Sequence, residues 1–89
     1  MRVQNMISDN GNAVANQFEI YGKNGKYFQS YQSPIAFKPY GDDTVYLTKR
    51  YDYSRTTMKY LCRFLGVSSI ADVRAMVANG EAVLVDQLP

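Results

Sequence analysis

Residues 54–66 read SRTTMKYLCRFLG, and this stretch carries the strongest structural pattern of the chain. Ser54 is a good N-cap, because a serine side chain can accept a hydrogen bond from a free backbone N–H of the first helical turn. Gly66 suits the left-handed conformation that commonly ends a helix. Between them, apolar side chains recur at the spacing i, i+3, i+4, i+7, namely at Met58, Leu61, Cys62 and Leu65. The stretch therefore predicts an amphipathic helix with one buried face.

A second helix is predicted directly after the first. Ser69 followed by Asp72 resembles a capping box, in which the two residues satisfy free N–H groups of the first turn. Asn79-Gly80 is typical of a helix end. The apolar stripe between these signals consists of Ile70, Val73 and Val77. Two amphipathic helices need a common apolar surface to pack on, and the residues before them supply it as strands.

Residues 14–33 alternate in the manner of a β-hairpin. Asn24-Gly25 is typical of a two-residue type I′ turn, which would place Tyr21 opposite Phe28. One face of this hairpin is the better candidate for the core, and it carries Phe18, Ile20, Tyr27 and Tyr31.

A second hairpin is predicted after Pro34, which interrupts the first ladder. Residues 35–38 and 45–48 alternate as strands, and residues 39–43 between them are dense in turn formers. Residues 81–86 predict a final strand. The predicted fold class is α+β: an antiparallel sheet of four to five strands with two helices packed on one face, in the order β-β-β-β-α-α-β.

The chain is predicted to form a single domain over residues 1–89. Its length of 89 residues is near the lower limit at which a hydrophobic core alone stabilises a fold. Residues 1–12 are polar and rich in Asn, so we expect them to form a loose N-terminal arm with room for a short strand at residues 2–7.

The composition excludes several classes of protein. The chain has no histidine and one cysteine, Cys62, so it can form no intrachain disulfide, no ordinary zinc site and no histidine-activated nucleophile. We expect Cys62 to be a packing residue. The apolar runs are shorter than a membrane span requires, and residues 1–12 lack the apolar segment of a signal peptide. The expectation is a cytoplasmic, non-catalytic protein with no metal, no cofactor and no membrane association.

Positive charge is concentrated just before and within the first helix. The net charge is only +2, yet residues 49–63 contain five cations and one carboxylate. Arg55, Lys59 and Arg63 follow one another at i, i+4, i+8 and therefore form one stripe of the helix. We predict a partner-binding surface made of Lys49, Arg50, Arg55, Lys59, Tyr60 and Arg63. The alternative is a solvated helix face whose long basic side chains have no partner.

Three stretches of the chain are distinctive together. They are NQFEI at residues 16–20, GKYFQSY with IA at 25–31 and 35–36, and YDYSRTTMKYL with FLG at 51–61 and 64–66. They resemble a family of short phage-associated proteins of unknown function, over about residues 12–66, with DYSRTT as the most specific segment. Because that family has no assigned activity, the resemblance implies a setting in phage biology and no catalytic or binding residue.

Three hypotheses of function follow from these patterns. The leading one is a non-catalytic, phage-type protein that binds and modulates a protein or nucleoprotein of the bacterial host, with an anti-defence inhibitor of the anti-CRISPR kind as its sharpest form. The alternative is a nucleic-acid-binding accessory protein that uses the same helix face, with an affinity that falls steeply with salt. A third is a self-assembling protein that pairs an open sheet edge near Pro34 or at the last strand. The patterns are compatible with a monomer and with a homodimer.

Overall fold

A computed structural model describes residues 2–89 as one sheet and two helices. The strands are β1 (Arg2–Ile7), β2 (Ala13–Tyr21), β3 (Gly25–Ser30), β4 (Ser33–Pro39), β5 (Val45–Thr48) and β6 (Ala82–Val85). The helices α1 (Arg55–Leu65) and α2 (Ile70–Asn79) lie between β5 and β6 in sequence. The α+β class is confirmed, with a sheet larger than the four to five strands predicted.

The six strands follow one another across the sheet in sequence order. Each of the first five pairs antiparallel with its neighbour, whereas β6 pairs parallel with β5. The sheet is therefore mixed, and the prediction of a purely antiparallel sheet is wrong. The physical reason is the connection, because a chain that leaves β5 through helices crosses over and returns in the same direction.

Residues 2–7 are paired as β1, with the bounds of the short strand considered within the expected N-terminal arm of residues 1–12; Met1 lies outside the described residues. The Asn5 side chain donates a hydrogen bond of 2.8 Å to the backbone oxygen of Val14 on β2. Met6 is buried in the core. A backbone ladder, one side-chain hydrogen bond and one buried side chain thus hold this part of the polar arm on the sheet.

Both helices begin and end where their capping residues predict. Ser54 Oγ accepts a hydrogen bond of 3.1 Å from a first-turn N–H, and Gly66 ends α1 at φ 75°. The Asp72 carboxylate accepts from the N–H of Ser69 at 3.2 Å, and Gly80 ends α2 at φ 86°. The buried face of α1 is rotated slightly from the predicted stripe, and its buried residues are Thr57, Tyr60, Leu61, Cys62 and Phe64.

The hydrophobic core lies between the helices and one face of the sheet. Phe28, Leu47, Leu61 and Val73 come from both layers and have no exposed surface. Phe28 stacks on Phe64 of α1, with ring centroids 5.7 Å apart. The helices therefore cover the sheet face to which Phe28 belongs.

The predicted core face of the first hairpin is wrong. Phe18, Ile20 and Tyr27 are only half-buried on the opposite face, and Tyr31 is 48% exposed with a positive φ of 56°. Both faces of this hairpin carry aromatic side chains, so the two-residue period does not by itself decide which one the helices cover. The contacts with α1 decide it, because Phe28 and its neighbour Ala36 share one core cluster with Leu61, whereas Phe37 beside Tyr27 is buried outside that cluster.

The turn between β2 and β3 is one residue earlier than the predicted type I′ turn. The N–H of Gly22 donates to the backbone oxygen of Gly25 at 2.9 Å, so Lys23 and Asn24 form the turn. A type I′ turn requires a positive φ at both central positions. Asn24 and Gly25 both have a negative or extended φ, so they do not form such a turn.

The earlier turn changes the strand register. Tyr21 lies opposite Lys26, and the predicted pairing of Tyr21 with Phe28 is wrong. Gly25 is needed for a different reason than its turn propensity. A Cβ at this position would lie 2.6 Å from the Phe37 ring and would also meet the backbone oxygen of Lys38. The glycine therefore permits a close approach of β3 and β4.

A buried polar cluster lies beneath the first turn of α1. The hydroxyl oxygens of Ser30 and Thr57 are hydrogen-bonded at 2.7 Å, and Ser54 Oγ donates to Thr57 Oγ1 at 2.9 Å. Gln17 pairs with Ser30 across the sheet and is fully buried. Neither polar atom of its amide has a hydrogen-bond partner among the described residues. Burial thus removes the Gln17 amide from water, and no hydrogen bond within residues 2–89 offsets the cost in free energy.

We expect Gln17→Met to raise the free energy of unfolding by about 1–3 kcal/mol, the cost of burying an unsatisfied polar group. Methionine has a similar length and adapts its shape to a core. Urea denaturation followed by circular dichroism measures the change. The matched control is Gln29→Met on the other face, where the amide donates to the backbone oxygen of Tyr31 at 2.9 Å and no gain is expected. A destabilised Gln17→Met protein would contradict the assignment.

Candidate functional site

A groove of about 360 Å³ lies between the exposed face of α1 and the start of α2. Its lining combines cations of α1 with half-buried apolar side chains of α1 and of the segment that leads into α2. We call it the interhelical groove and define it by Arg55, Lys59, Arg63, Met58, Val67 and Ile70. Half of the residues predicted for partner binding therefore meet in one concave surface.

The β1–β2 turn holds two of the three cations in place. Asp9 in this turn forms ion pairs with Arg63 and with Lys59, the latter at 3.6 Å. Arg63 also donates a hydrogen bond of 2.8 Å to the backbone oxygen of Ile7. One carboxylate thus orients two neighbouring cations of the groove and cancels part of their charge.

Arg55 is the most available cation of the groove. It is exposed in the first turn of α1, and no carboxylate of residues 2–89 lies within ion-pair distance of it. A guanidinium group presents five donors in a planar fork that matches the geometry of a carboxylate or a phosphate. Arg55 therefore offers the groove's strongest contact for an anionic group.

Tyr60 lies in the core and not on the contact surface. Its side chain is only 5% exposed and packs with the buried residues of both layers. Lys59 Nζ and Arg63 Cζ lie 5.5 and 5.4 Å from the centre of its ring, so the ring supports the two cations by cation–π contacts. The sequence places Tyr60 next to the basic stripe, but the helix turns its ring inward.

Lys49 and Arg50 lie elsewhere, so the predicted surface is divided into two parts. Both residues border a larger groove on the sheet face away from the helices. Lys49 forms an ion pair of 3.2 Å with Asp86, and both side chains are largely exposed. Exposed pairs of this kind contribute little to stability, so they leave Lys49 available to a partner.

The N-terminus of α2 opens onto the interhelical groove with a carboxylate at its start. The Asp72 carboxylate accepts hydrogen bonds from the N–H groups of Ser68 and Ser69, each at 3.2 Å. A helix N-terminus binds anions through its N–H groups and its positive dipole. Because Asp72 already places a negative charge there, a second anion is disfavoured and its recognition falls to the side chains of α1.

Cys62 borders the groove as a packing residue. Its side chain is buried, and burial raises the pKa of the thiol, with the negative charge of Asp72 acting in the same direction. The thiolate is the nucleophilic form of cysteine. Near neutral pH this thiol therefore stays protonated and unreactive.

A pair of lysines at the end of α1 was not identified from the sequence. Lys26 and Lys38 lie opposite each other on β3 and β4, 5.3 and 5.7 Å from the Phe64 ring centre. Lys38 Nζ also donates to the backbone oxygen of Phe64 at 3.4 Å, where the helix dipole is negative. Burial lowers the pKa of Lys38, Lys26 lowers it further, and Glu19 opposes both. Only the strand register could have revealed this pair.

Two further properties concern the part of the chain that the structure describes. Within residues 2–89, no three His, Cys, Asp or Glu side chains come together in a way that could hold a metal ion. In the same range, no helix is long and apolar enough to cross a membrane.

Comparison with known proteins identifies a family that includes this chain. The model of a family of unknown function matches residues 1–80. No curated protein and no solved structure matches the chain significantly. The matched residues include the whole interhelical groove and end before β6.

Proposed function

Since this chain belongs to DUF8033, a family of unknown function, we propose its function from the interhelical groove. The protein binds an acidic segment of a partner protein and modulates that partner without catalysing a reaction. The supporting observation is the combination of cations and apolar side chains in one concave surface.

The lining of the groove suits an amphipathic partner. Arg55, Lys59 and Arg63 come from successive turns of α1, and arginine and lysine form strong charge-assisted hydrogen bonds with carboxylates. Met58 on the same helix and Ile70 at the start of α2 are half-buried beside them and can lose further apolar surface to a partner. Protein interfaces combine an apolar centre with arginine contacts in this way.

A nucleic-acid partner is the alternative, and two observations favour the protein. Met58 and Ile70 line the groove beside the cations, and a phosphate backbone has no apolar surface to cover them. Tyr60 is buried, so its ring is not available for the base stacking that single-strand binders use.

The narrower version of the proposal is an inhibitor of a host defence nuclease, encoded by a phage. Its support is the resemblance to short phage-associated proteins. Such an inhibitor acts stoichiometrically in the cytoplasm of the host, so cleavage by an RNA-guided nuclease would fall in proportion to the molar ratio of added protein. Unchanged cleavage at a large molar excess would contradict this version alone.

We expect Arg55→Ala/Lys59→Ala to lower the affinity for a labelled peptide rich in Glu and Leu by about tenfold or more, because two contacts to carboxylates are lost. Both side chains are exposed, so the circular dichroism spectrum should not change. Fluorescence anisotropy measures the affinity. Arg63→Ala is added only as a second step, because Arg63 also ties down the β1–β2 turn.

The matched control is Lys49→Ala/Arg50→Ala, which removes the same charge from the other part of the predicted surface. It should keep the affinity of the unmodified protein. No binding of the peptide, or equal losses in the two double variants, would overturn the proposal. The anisotropy measurement is repeated with labelled single- and double-stranded DNA and RNA at a series of salt concentrations. Binding that falls steeply with salt and is lost in Arg55→Ala/Lys59→Ala would establish the nucleic-acid alternative instead.

A further inference from the structure

The sheet face opposite the helices carries an unbroken apolar row across all six strands. The strand register places one residue of each strand side by side, in the order Val3, Ile20, Tyr27, Phe37, Tyr46 and Val83. The aromatic rings contact each other, with centroids 4.5 Å apart for Tyr27 and Phe37 and 6.3 Å apart for Phe37 and Tyr46. We call this set the apolar row.

The charged residues of the strands all lie on the other face. Arg2, Lys26 and Lys38 lie in one row of the helix-covered face, and Glu19 lies in the next row with Phe28. An antiparallel sheet with one solvated face normally turns its polar residues outward. Here the strands contribute no charged residue to the face that no helix covers, and its charges, Lys49, Arg50 and Asp86, lie only at the groove on that face. The apolar centre marks the face as a contact surface.

The apolar row is accessible at both ends. Val3 on β1 is 58% exposed and Val83 on β6 is 40% exposed. The chain after β6 crosses part of the face between them, because Tyr27 Oη on β3 donates to a backbone oxygen of Pro89 at 2.7 Å. A groove of about 950 Å³ lies beside this segment and offers further concave surface to an occupant.

We infer that this face is a homodimer interface, in which two copies of the chain pack sheet against sheet about a two-fold axis. A two-fold interface brings each surface onto itself, so a charged face would repel its own copy. The apolar row itself carries no charge. The charges at the groove beside it include both signs, with Lys49 paired to Asp86, so the face as a whole does not select an acidic or a basic partner. The inference concerns a surface separate from the interhelical groove and does not depend on the function proposed for that groove.

The size of the molecule is sufficient for such an interface. A standard interface buries ~800 Å² per partner, about a seventh of the accessible surface of 5433 Å². The molecule measures 34 × 29 × 21 Å, so either of its broad sides is larger than this requirement. Facing sheets pack about 10 Å apart. Phe37 at the centre of the row is already buried, with 4% of its surface exposed, and the half-buried rings of Tyr27 and Tyr46 beside it can fill this distance.

Sedimentation velocity over a concentration series tests the inference, and neighbouring residues of β6 supply a matched pair of variants. Val83→Lys places a charge in the apolar row. Leu84→Lys places the same charge one residue further, on the opposite face, at a position 43% exposed. We expect the unmodified protein to sediment as a dimer, Val83→Lys to raise its dissociation constant by about tenfold or more, and Leu84→Lys to leave it unchanged.

Three outcomes would overturn the inference. The unmodified protein could sediment as a monomer throughout the series. The two lysine variants could act equally, which would indicate pairing through the edge of β6. An unchanged dimer in Val83→Lys would place the interface elsewhere. The Arg55→Ala/Lys59→Ala variant should remain a dimer, so a failure of this inference is separate from a failure of the proposed function.

Discussion

Gly25→Ala is expected to lower the free energy of unfolding by about 3 kcal/mol, at the upper end of the cost of overpacking a well-packed site. The added methyl group would lie 2.6 Å from the Phe37 ring and would also meet the backbone oxygen of Lys38. A backbone oxygen cannot rotate away as a side chain can, so β3 and β4 would have to separate locally. Small domains are stable by about 5–15 kcal/mol, so the loss would be clear in urea denaturation.

Gly11→Ala is the matched control for this substitution. Gly11 adopts φ 81°, and a Cβ there would meet nothing within 4 Å. Its replacement should cost only about 1 kcal/mol, from the left-handed backbone alone. Because Gly25 does not adopt a positive φ, a loss for Gly25→Ala no larger than that for Gly11→Ala would show that β3 and β4 accommodate the methyl group and that their close approach does not require glycine.

Phe28→Ala is expected to lower the free energy of unfolding by about 3–5 kcal/mol, because it leaves a cavity in the centre of the core. The Phe28 side chain has no exposed surface and stacks on Phe64, so the substitution also separates the sheet from α1. Thermal and urea denaturation, each followed by circular dichroism, measure the change.

Tyr27→Ala tests which face of the hairpin the helices cover. Tyr27 is the neighbour of Phe28 on the half-buried face, and its replacement should cost clearly less. Both variants are compared at a concentration at which the protein is monomeric, since Tyr27 belongs to the apolar row. A larger loss for Tyr27→Ala would reverse the assignment of the two sheet faces.

The helices could be predicted from the sequence because their signals are local. Ser54 and Gly66 act on backbone groups within one turn, and the same is true of Asp72 and Gly80. Such contacts do not depend on the rest of the fold, and the bounds of α1 and α2 follow from them.

The sheet could be predicted only in part because its register is not a local property. Asn24-Gly25 resembles a type I′ turn, but Gly25 is determined by a contact with β4, which is distant in sequence from the turn. The parallel direction of β6 likewise depends on the path of the chain through two helices. Strand β1 was considered at its correct bounds, but its polar composition does not show the contact that Met6 makes with the core.

The candidate site also has a part that follows from local sequence and a part that depends on distant residues. The spacing of Arg55, Lys59 and Arg63 places them on one helix face, and the structure brings them together in one groove. Asp9 comes from a distant turn, and no pattern along the chain connects it with α1. Tyr60 differs from its neighbours Lys59 and Leu61 by about 100° of rotation around the helix, so a small change of helix phase moves it from the surface to the core.

The parallel pairing of β6 determines the order in which the chain can assemble. Strands β1 to β5 form a meander whose neighbours are joined by short loops, so each ladder restricts only a short length of chain. The β5–β6 ladder joins Val45 to Ala82 and encloses both helices, which makes it the contact of greatest sequence separation among the strand pairs. Loop entropy therefore places it last in folding. For the same reason, we expect this four-residue edge strand to detach first when the native state opens locally, while the five-stranded meander keeps its hydrogen bonds.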